Sequence, residues 1–205
     1  MNRVLSIALL AVFGLAAGPA LAHHPMGGVT PATFADGLLS GLGHPVIGLD
    51  HFAAVIAIGC LASAHRAASG LAIGFVLAMM AGVAVHLLGP PLPGAELLVA
   101  LSVIGLGILM LTQPPMTTAV ALMVFAAVGL LHGYVLGESI YGAEPTPLAA
   151  YLLGLAVIQG AIAIGAVYLA RKAVQIASGR MPLRLAGAGV ASIGLAIVVL
   201  EVAGA

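Results

Sequence analysis

Charge is what this chain has least of. Asp, Glu, Lys and Arg make up 6% of its 205 residues, six acids against six bases for a formal net charge of zero, while 62% are hydrophobic. A soluble domain carries roughly 25% charged residues, so an ordinary water-soluble fold is excluded. The same shortage excludes a disordered tail and a nucleic-acid binder with a basic patch, and a single Cys excludes a disulfide scaffold. Signatures of catalysis are missing as well: there is no Walker A sequence, no HExxH and no GxSG-type serine, which argues against ATP hydrolysis, zinc-peptidase or serine-protease chemistry and against an enzyme in general. What remains is an integral membrane protein. Its one unusual abundance is His: seven, more than the bases or the acids. A neutral imidazole is an inexpensive way to bring a metal ligand into lipid.

The N-terminus reads as a cleavable signal peptide over residues 1–22. Met1-Asn2-Arg3 is a short positive start, Val4 to Ala17 an apolar core, and Pro19-Ala20-Leu21-Ala22 ends in an A-x-A site. Residues 23–205 then form a single transmembrane domain whose amino terminus starts on the periplasmic side of a bacterial inner membrane. Runs long enough to cross lipid, about 20 residues each, recur at approximately Val46–Ala64, Ser69–Leu88, Ala95–Thr112, Thr118–Leu136, Leu148–Ala170 and Leu183–Val202. Before them, Thr33 to Leu42 is too short to cross. It is expected to form a partial or re-entrant helix broken at Gly43-His44-Pro45. The fold class is therefore all-α: a polytopic bundle of about six transmembrane helices plus a short partial helix. Gly37-xxx-Gly41, Gly70-xxx-Gly74 and Gly133-xxx-Gly137 fit close helix packing in lipid.

Charge supports this topology. Arg66, Arg171, Lys172, Arg180 and Arg184 all fall on the cytoplasmic side, as the positive-inside rule requires. Asp36, Glu96, Glu138, Glu144 and Glu201 fall on or near the external side. Such a negative face concentrates cations at the mouth of a route through the membrane.

The polar residues inside the spans carry the chemistry. Asp50 costs about 2.5–3.5 kcal/mol at the centre of a spanning helix and less near its end, so it should face the protein interior or a watery cavity. It sits in the run His44-Pro45-Val46-Ile47-Gly48-Leu49-Asp50-His51. With a helix starting at Pro45, His44, Asp50 and His51 gather around one helix start. Two imidazoles and a carboxylate suit divalent Ni, Co or Zn better than thiolate-preferring Cu(I). His86, at the outer end of its span, His132, in the outer part of its own, and Glu138 lie at roughly the same depth. These six residues are the candidate metal site. His23 and His24, exposed by cleavage beside a free amine, are a second candidate for capturing metal outside. His65, next to Arg66, could mark the exit, and Cys60 reads as a packed thiol. The competing reading, a membrane cytochrome or hydrogenase anchor, would use His86 and His132 as axial haem ligands and leaves Asp50 without a task.

Three stretches also carry a resemblance. His23 to Gly28, Gly37 to Gly43 running into His44–His51, and His132-Gly133-Tyr134-Val135-Leu136-Gly137-Glu138-Ser139 with Gly142 to Leu148 and Ala150 to Gln159 together resemble the HupE/UreJ family of nickel/cobalt permeases and hydrogenase or urease accessory proteins. The resemblance implies uptake of Ni2+ or Co2+ as transported substrate, with no tightly bound cofactor. It also implies, as the alternative, an accessory or anchor role in metalloenzyme maturation without transport. Leu136 stands where many hydrogenase-linked members carry a second His, which shifts the expectation toward cobalt. Expected partners are the metal ion and the bilayer. A second copy of the chain and a cytoplasmic metallochaperone are left open.

Overall fold

The computed structural model describes residues 30–203. The expected signal peptide, His23 and His24, and residues 204–205 lie outside the described residues. The described residues form α1 (Phe34–Ile47), α2 (Leu49–Ala62), α3 (Ala68–Leu88), α4 (Ala95–Thr112), α5 (Thr118–Leu136), a short 3-10 helix (Glu138–Ile140), α6 (Pro145–Ile176) and α7 (Met181–Ala203), with no strand among them. The expected all-helical bundle is what forms. Helices α3 to α7 are each long and apolar enough to cross a membrane, and their ends follow the punctuation in the sequence. Gly94, at φ +73°, turns the proline-rich loop into α4, Thr117 caps α5 by accepting from the Val120 N–H at 3.3 Å, and Pro145 opens α6.

The start of the bundle departs from the sequence reading. The break falls at Gly48 rather than at Gly43–Pro45, and α1 runs through Pro45 to Ile47. Pro45 removes only the bond to the Gly41 carbonyl, in a last turn that is about to end anyway. Gly48 makes the break: with ψ 104° it leaves the helical region, donates to the His44 carbonyl at 2.9 Å to close α1, and accepts from the Phe52 N–H at 2.9 Å to open α2. The two helices bend by 76° at this point. At 14 residues, α2 is about 21 Å long, short of the roughly 30 Å hydrocarbon core, so the expected span Val46–Ala64 does not cross by itself.

Packing along α6 resolves how the pair runs. Gly37 meets Pro147 and Gly41 meets Tyr151 and Leu155, while Gly59 of α2 meets Ala163 and Ala166. Helices α1 and α2 therefore pass down α6 in order, as one broken crossing that completes six. Two further pairs form in the same way. Gly129 and Gly133 of α5 lie against the backbone of Phe75 and Met79 in α3, and Gly107 of α4 and Gly187 and Gly194 of α7 lie against each other's helices. Helix α2 packs against all three pairs, and beyond Asp50 and His51 in its first turn it is apolar all round, as a helix enclosed by others must be. Of the proposed glycine motifs, Gly37, Gly41 and Gly133 make close helix contacts, Gly137 meets the His86 side chain and Gly74 that of Leu122, but Gly70 faces open space.

Charge separates along the bundle. Arg66, Arg171, Lys172, Arg180 and Arg184 lie at one end, while Asp36, Glu96, Glu138, Glu144 and Glu201 lie at helix termini or loops of the other. At the basic end Arg171 donates to the Ser63 and His65 carbonyls at 3.1 and 2.8 Å, which ties α6 to the α2–α3 turn. At the acidic end Asp36 is engaged in a reciprocal cap with Thr33 at 3.0 and 3.1 Å. Its charge thus belongs partly to the helix start.

The glycine contacts predict a contrast. A methyl group at Gly133 would overlap the Met79 carbonyl, whereas one at Gly105 meets nothing within 4 Å. Gly133→Ala should lower stability by about 1–3 kcal/mol and Gly105→Ala should be neutral or raise it by up to about 1 kcal/mol. Thermal melts of the two purified variants in one detergent check this, and equal melting temperatures would contradict it.

Candidate functional site

The break at Gly48 decides where the polar side chains go. Asp50 stands in the first turn of α2, where the backbone N–H groups have no intrahelical acceptor and the helix dipole is positive. Its Oδ1 accepts from the His51 N–H at 2.7 Å. A carboxylate that is only 2% exposed thus obtains local compensation from the helix start it occupies. Gly48 has an ordinary φ of −71°, so conformation does not require glycine here. A side chain would be crowded, however: a methyl group would lie 3.0 Å from His51 Cδ2 and 3.1 Å from Asp50 Oδ1.

His51 points from α2 to His132 on α5, Nδ1 to Nδ1 at 2.9 Å. His132, wholly buried, is held on its other side by Ser102 of α4, Nε2 to Oγ at 2.8 Å. His51 Nε2 lies 4.0 Å from Asp50 Oδ1. His44, in the last turn of α1 and buried, sets its ring edge-on to His51 with centroids 6.0 Å apart. Three helices thus bring His44, Asp50, His51 and His132 together around the break, and a fourth adds Ser102. Among the described residues, however, no three His, Cys, Asp or Glu side chains converge closely enough to form a finished metal site.

The other candidates separate from this cluster. His86 lies in an aromatic setting, with ring centroids 4.7 Å from Tyr134 and 6.0 Å from Tyr141. Glu138 is exposed in the 3-10 helix. Depth read from the sequence placed both near the cluster, but His86 packs against Gly137 at the end of α5, and Glu138 follows it, more than a turn beyond His132. His132 has both nitrogens committed to His51 and Ser102, so the structure does not pose it as an axial haem ligand. His65, at the basic end, contacts Thr118 Oγ1 at 3.5 Å and lines a cavity of about 310 Å³ with Cys60, Met110 and Met116.

Three residues gain weight over the sequence reading. Ser102 carries no sequence signal, because a serine in a membrane helix is unremarkable until its neighbour is known. Glu96, read only as one acid among several at the outer end, is half-buried and interacts electrostatically with Asp50, Glu138 and Glu201. Gln159, in the matched block, is fully buried on α6 between Leu155, which meets Gly41, and Ala163, which meets Gly59, and so lies level with the break. Neither its amide oxygen nor its nitrogen has a hydrogen-bond partner.

No solved structure matches this chain. The family described as HupE / UreJ protein matches residues 9–197. Protein HupE of Rhizobium leguminosarum bv. viciae is 35% identical over 185 residues, covering 88% of this chain and 92% of that protein. With matches of this extent, the chain belongs to the HupE/UreJ family.

Proposed function

We propose that the protein is a permease of the bacterial inner membrane that imports a divalent transition metal, Ni2+ or Co2+. The observation that supports this best is the buried group of Asp50, His51, His132 and His44 at the break of a broken crossing. Broken helices at mid-membrane are a recurrent way to offer backbone and side-chain ligands to an ion. Asp50 caps its own helix start, but a carboxylate beside imidazoles inside a membrane is costly and by default marks an ion pathway. A rim of Glu96, Glu138, Glu144 and Glu201 at the acidic end would concentrate cations there. The basic end, facing the cytoplasm by the positive-inside rule, holds the cavity lined by His65 and Cys60 through which the ion would leave. A divalent ion moving inward gains about 4.6 kcal/mol per 100 mV of membrane potential, so no ATP site is needed.

Asp50→Asn and His51→Ala should each reduce uptake of radiolabelled Ni2+ and Co2+ to background in cells lacking their own importers, with the protein still in the membrane. Wild-type uptake by both variants would remove the reading. No uptake by the wild-type chain would favour the accessory role instead.

Gln159 supplies a second test. A buried amide without partners costs about 1–3 kcal/mol, a cost that is understandable if it meets the passing ion or its water. Gln159→Leu should therefore raise the melting temperature while lowering uptake. A variant that is stabilised and transports at the wild-type rate would take Gln159 off the route.

A further inference from the structure

An apolar layer separates the polar cluster from the cavity at the basic end, and two helices give its thickness independently. On α2, Cys60, which lines the cavity, comes nine residues after His51, about 13.5 Å along the axis. On α4, Met110, which also lines it, comes eight residues after Ser102, about 12 Å. Residues 52–59 of α2, 103–109 of α4 and 124–131 of α5 include no polar side chain. Three side chains stand on the line between cluster and cavity. Ile58 comes seven residues after His51 and Phe125 seven before His132, two turns in each case, and Leu106 comes four after Ser102. Each therefore shares the helix face of the polar residue it lies beneath. All three are at most 1% exposed and belong to one apolar cluster with Val55 and Val103. A cation can enter such a layer neither bare, because nothing there replaces its water, nor hydrated, because the layer is closely packed.

We propose that Ile58, Leu106 and Phe125 form an inner gate, an apolar seal that closes the route from the cluster to the cavity in this structure and opens when the inner end of α2 separates from α4 and α5. This rests on the proposed function for the cation and its direction. The three side chains are apolar, so parting them breaks no hydrogen bond. Helix α2 is placed to make the movement: its outer end is already broken from α1 at Gly48, and its close glycine contact, through Gly59, is with α6 rather than with α4 or α5.

The test follows thiol labelling in inside-out membrane vesicles, without metal, by a charged methanethiosulfonate reagent that does not cross lipid. Cys60, the one cysteine of the chain, reports the cavity. Val55→Cys in a Cys60→Ser background reports the cluster's side of the gate, one turn from His51. Val55→Cys should react at least about tenfold more slowly than Cys60, because it waits for local opening. Adding Phe125→Ala should remove most of that difference. Phe125→Leu, which keeps a large apolar side chain, and Leu155→Ala, an equally buried truncation outside the layer, should leave it in place. Equal labelling of the two cysteines without a gate substitution, or an acceleration by Leu155→Ala as large as that by Phe125→Ala, would overturn the gate and leave the proposed function standing. So would slow labelling that persists in Phe125→Ala, or in Ile58→Ala and Leu106→Ala should Phe125→Ala fail to accumulate. A sealed wild type that carries neither Ni2+ nor Co2+ into proteoliposomes would overturn ion gating together with the proposed function.

Discussion

A carboxylate cannot be carried into the apolar interior of a helix bundle without backbone help, and the architecture around Asp50 follows from that constraint. A continuous helix through Asp50 would have its N–H groups consumed by the preceding turn and could offer the side chain nothing. Breaking the helix at Gly48 creates a helix start inside the protein, and the carboxylate occupies its first turn, where partial positive charge is concentrated. The break also ends α1 with the His44 carbonyl bonded to the Gly48 N–H, so little backbone is left unsatisfied in a region where each unsatisfied group is costly.

A broken helix is weak as a membrane span, and the rest of the fold provides a socket for it. Three glycine-bearing helix pairs, α1 with α6, α3 with α5 and α4 with α7, hold together through backbone contact. In lipid such contact replaces the hydrophobic drive that water would supply. Their outer faces are left to Leu, Ile and Val exposed to lipid, such as Leu77, Val157 and Ile164. Helix α2 stands between them, with His51 against α5 and with Ser102 of α4 behind His132. The cluster thus draws one residue from each helix pair besides those of α2. Its geometry reports how the three pairs sit relative to one another.

Much of this was legible in sequence because hydropathy and helical rise give a residue's depth. The ends of α4 and α5 came out as Ala95–Thr112 and Thr118–Leu136, and the sorting of acids from bases to opposite ends followed from counting spans. Depth is one coordinate, and a site needs a second, the side of the helix that a residue faces. The sequence put His86 and His132 at one depth, yet Gly133 lies level with Met79 and Gly137 with His86, so His86 sits more than a turn further out and only His132 meets His51. The same ignorance hid Ser102, whose importance exists only through His132. The break was misplaced for a different reason. Pro45 is the stronger helix breaker in general, but near a helix end its missing N–H costs little, and the backbone leaves the helical region at Gly48, where Asp50 and His51 crowd any side chain.

The incompleteness of the cluster is itself informative on the proposed reading. Three unprotonated ligands pointed at an empty centre would repel one another in an apolar interior, and each would leave a lone pair unsatisfied. Hydrogen-bonding His51 to His132 and His132 to Ser102 avoids that cost. On the proposed reading so small a set of donors replaces only part of a hydration shell, so the ion would keep water, consistent with release being as necessary as binding. Selectivity then rests on the imidazole. Hard cations such as Mg2+ and Ca2+ take oxygen ligands and gain little from it, whereas nitrogen ligands bind Co2+ and Ni2+ well. The acidic rim attracts all divalent ions alike, and the first nitrogen donor at the helix break is where they become distinguishable.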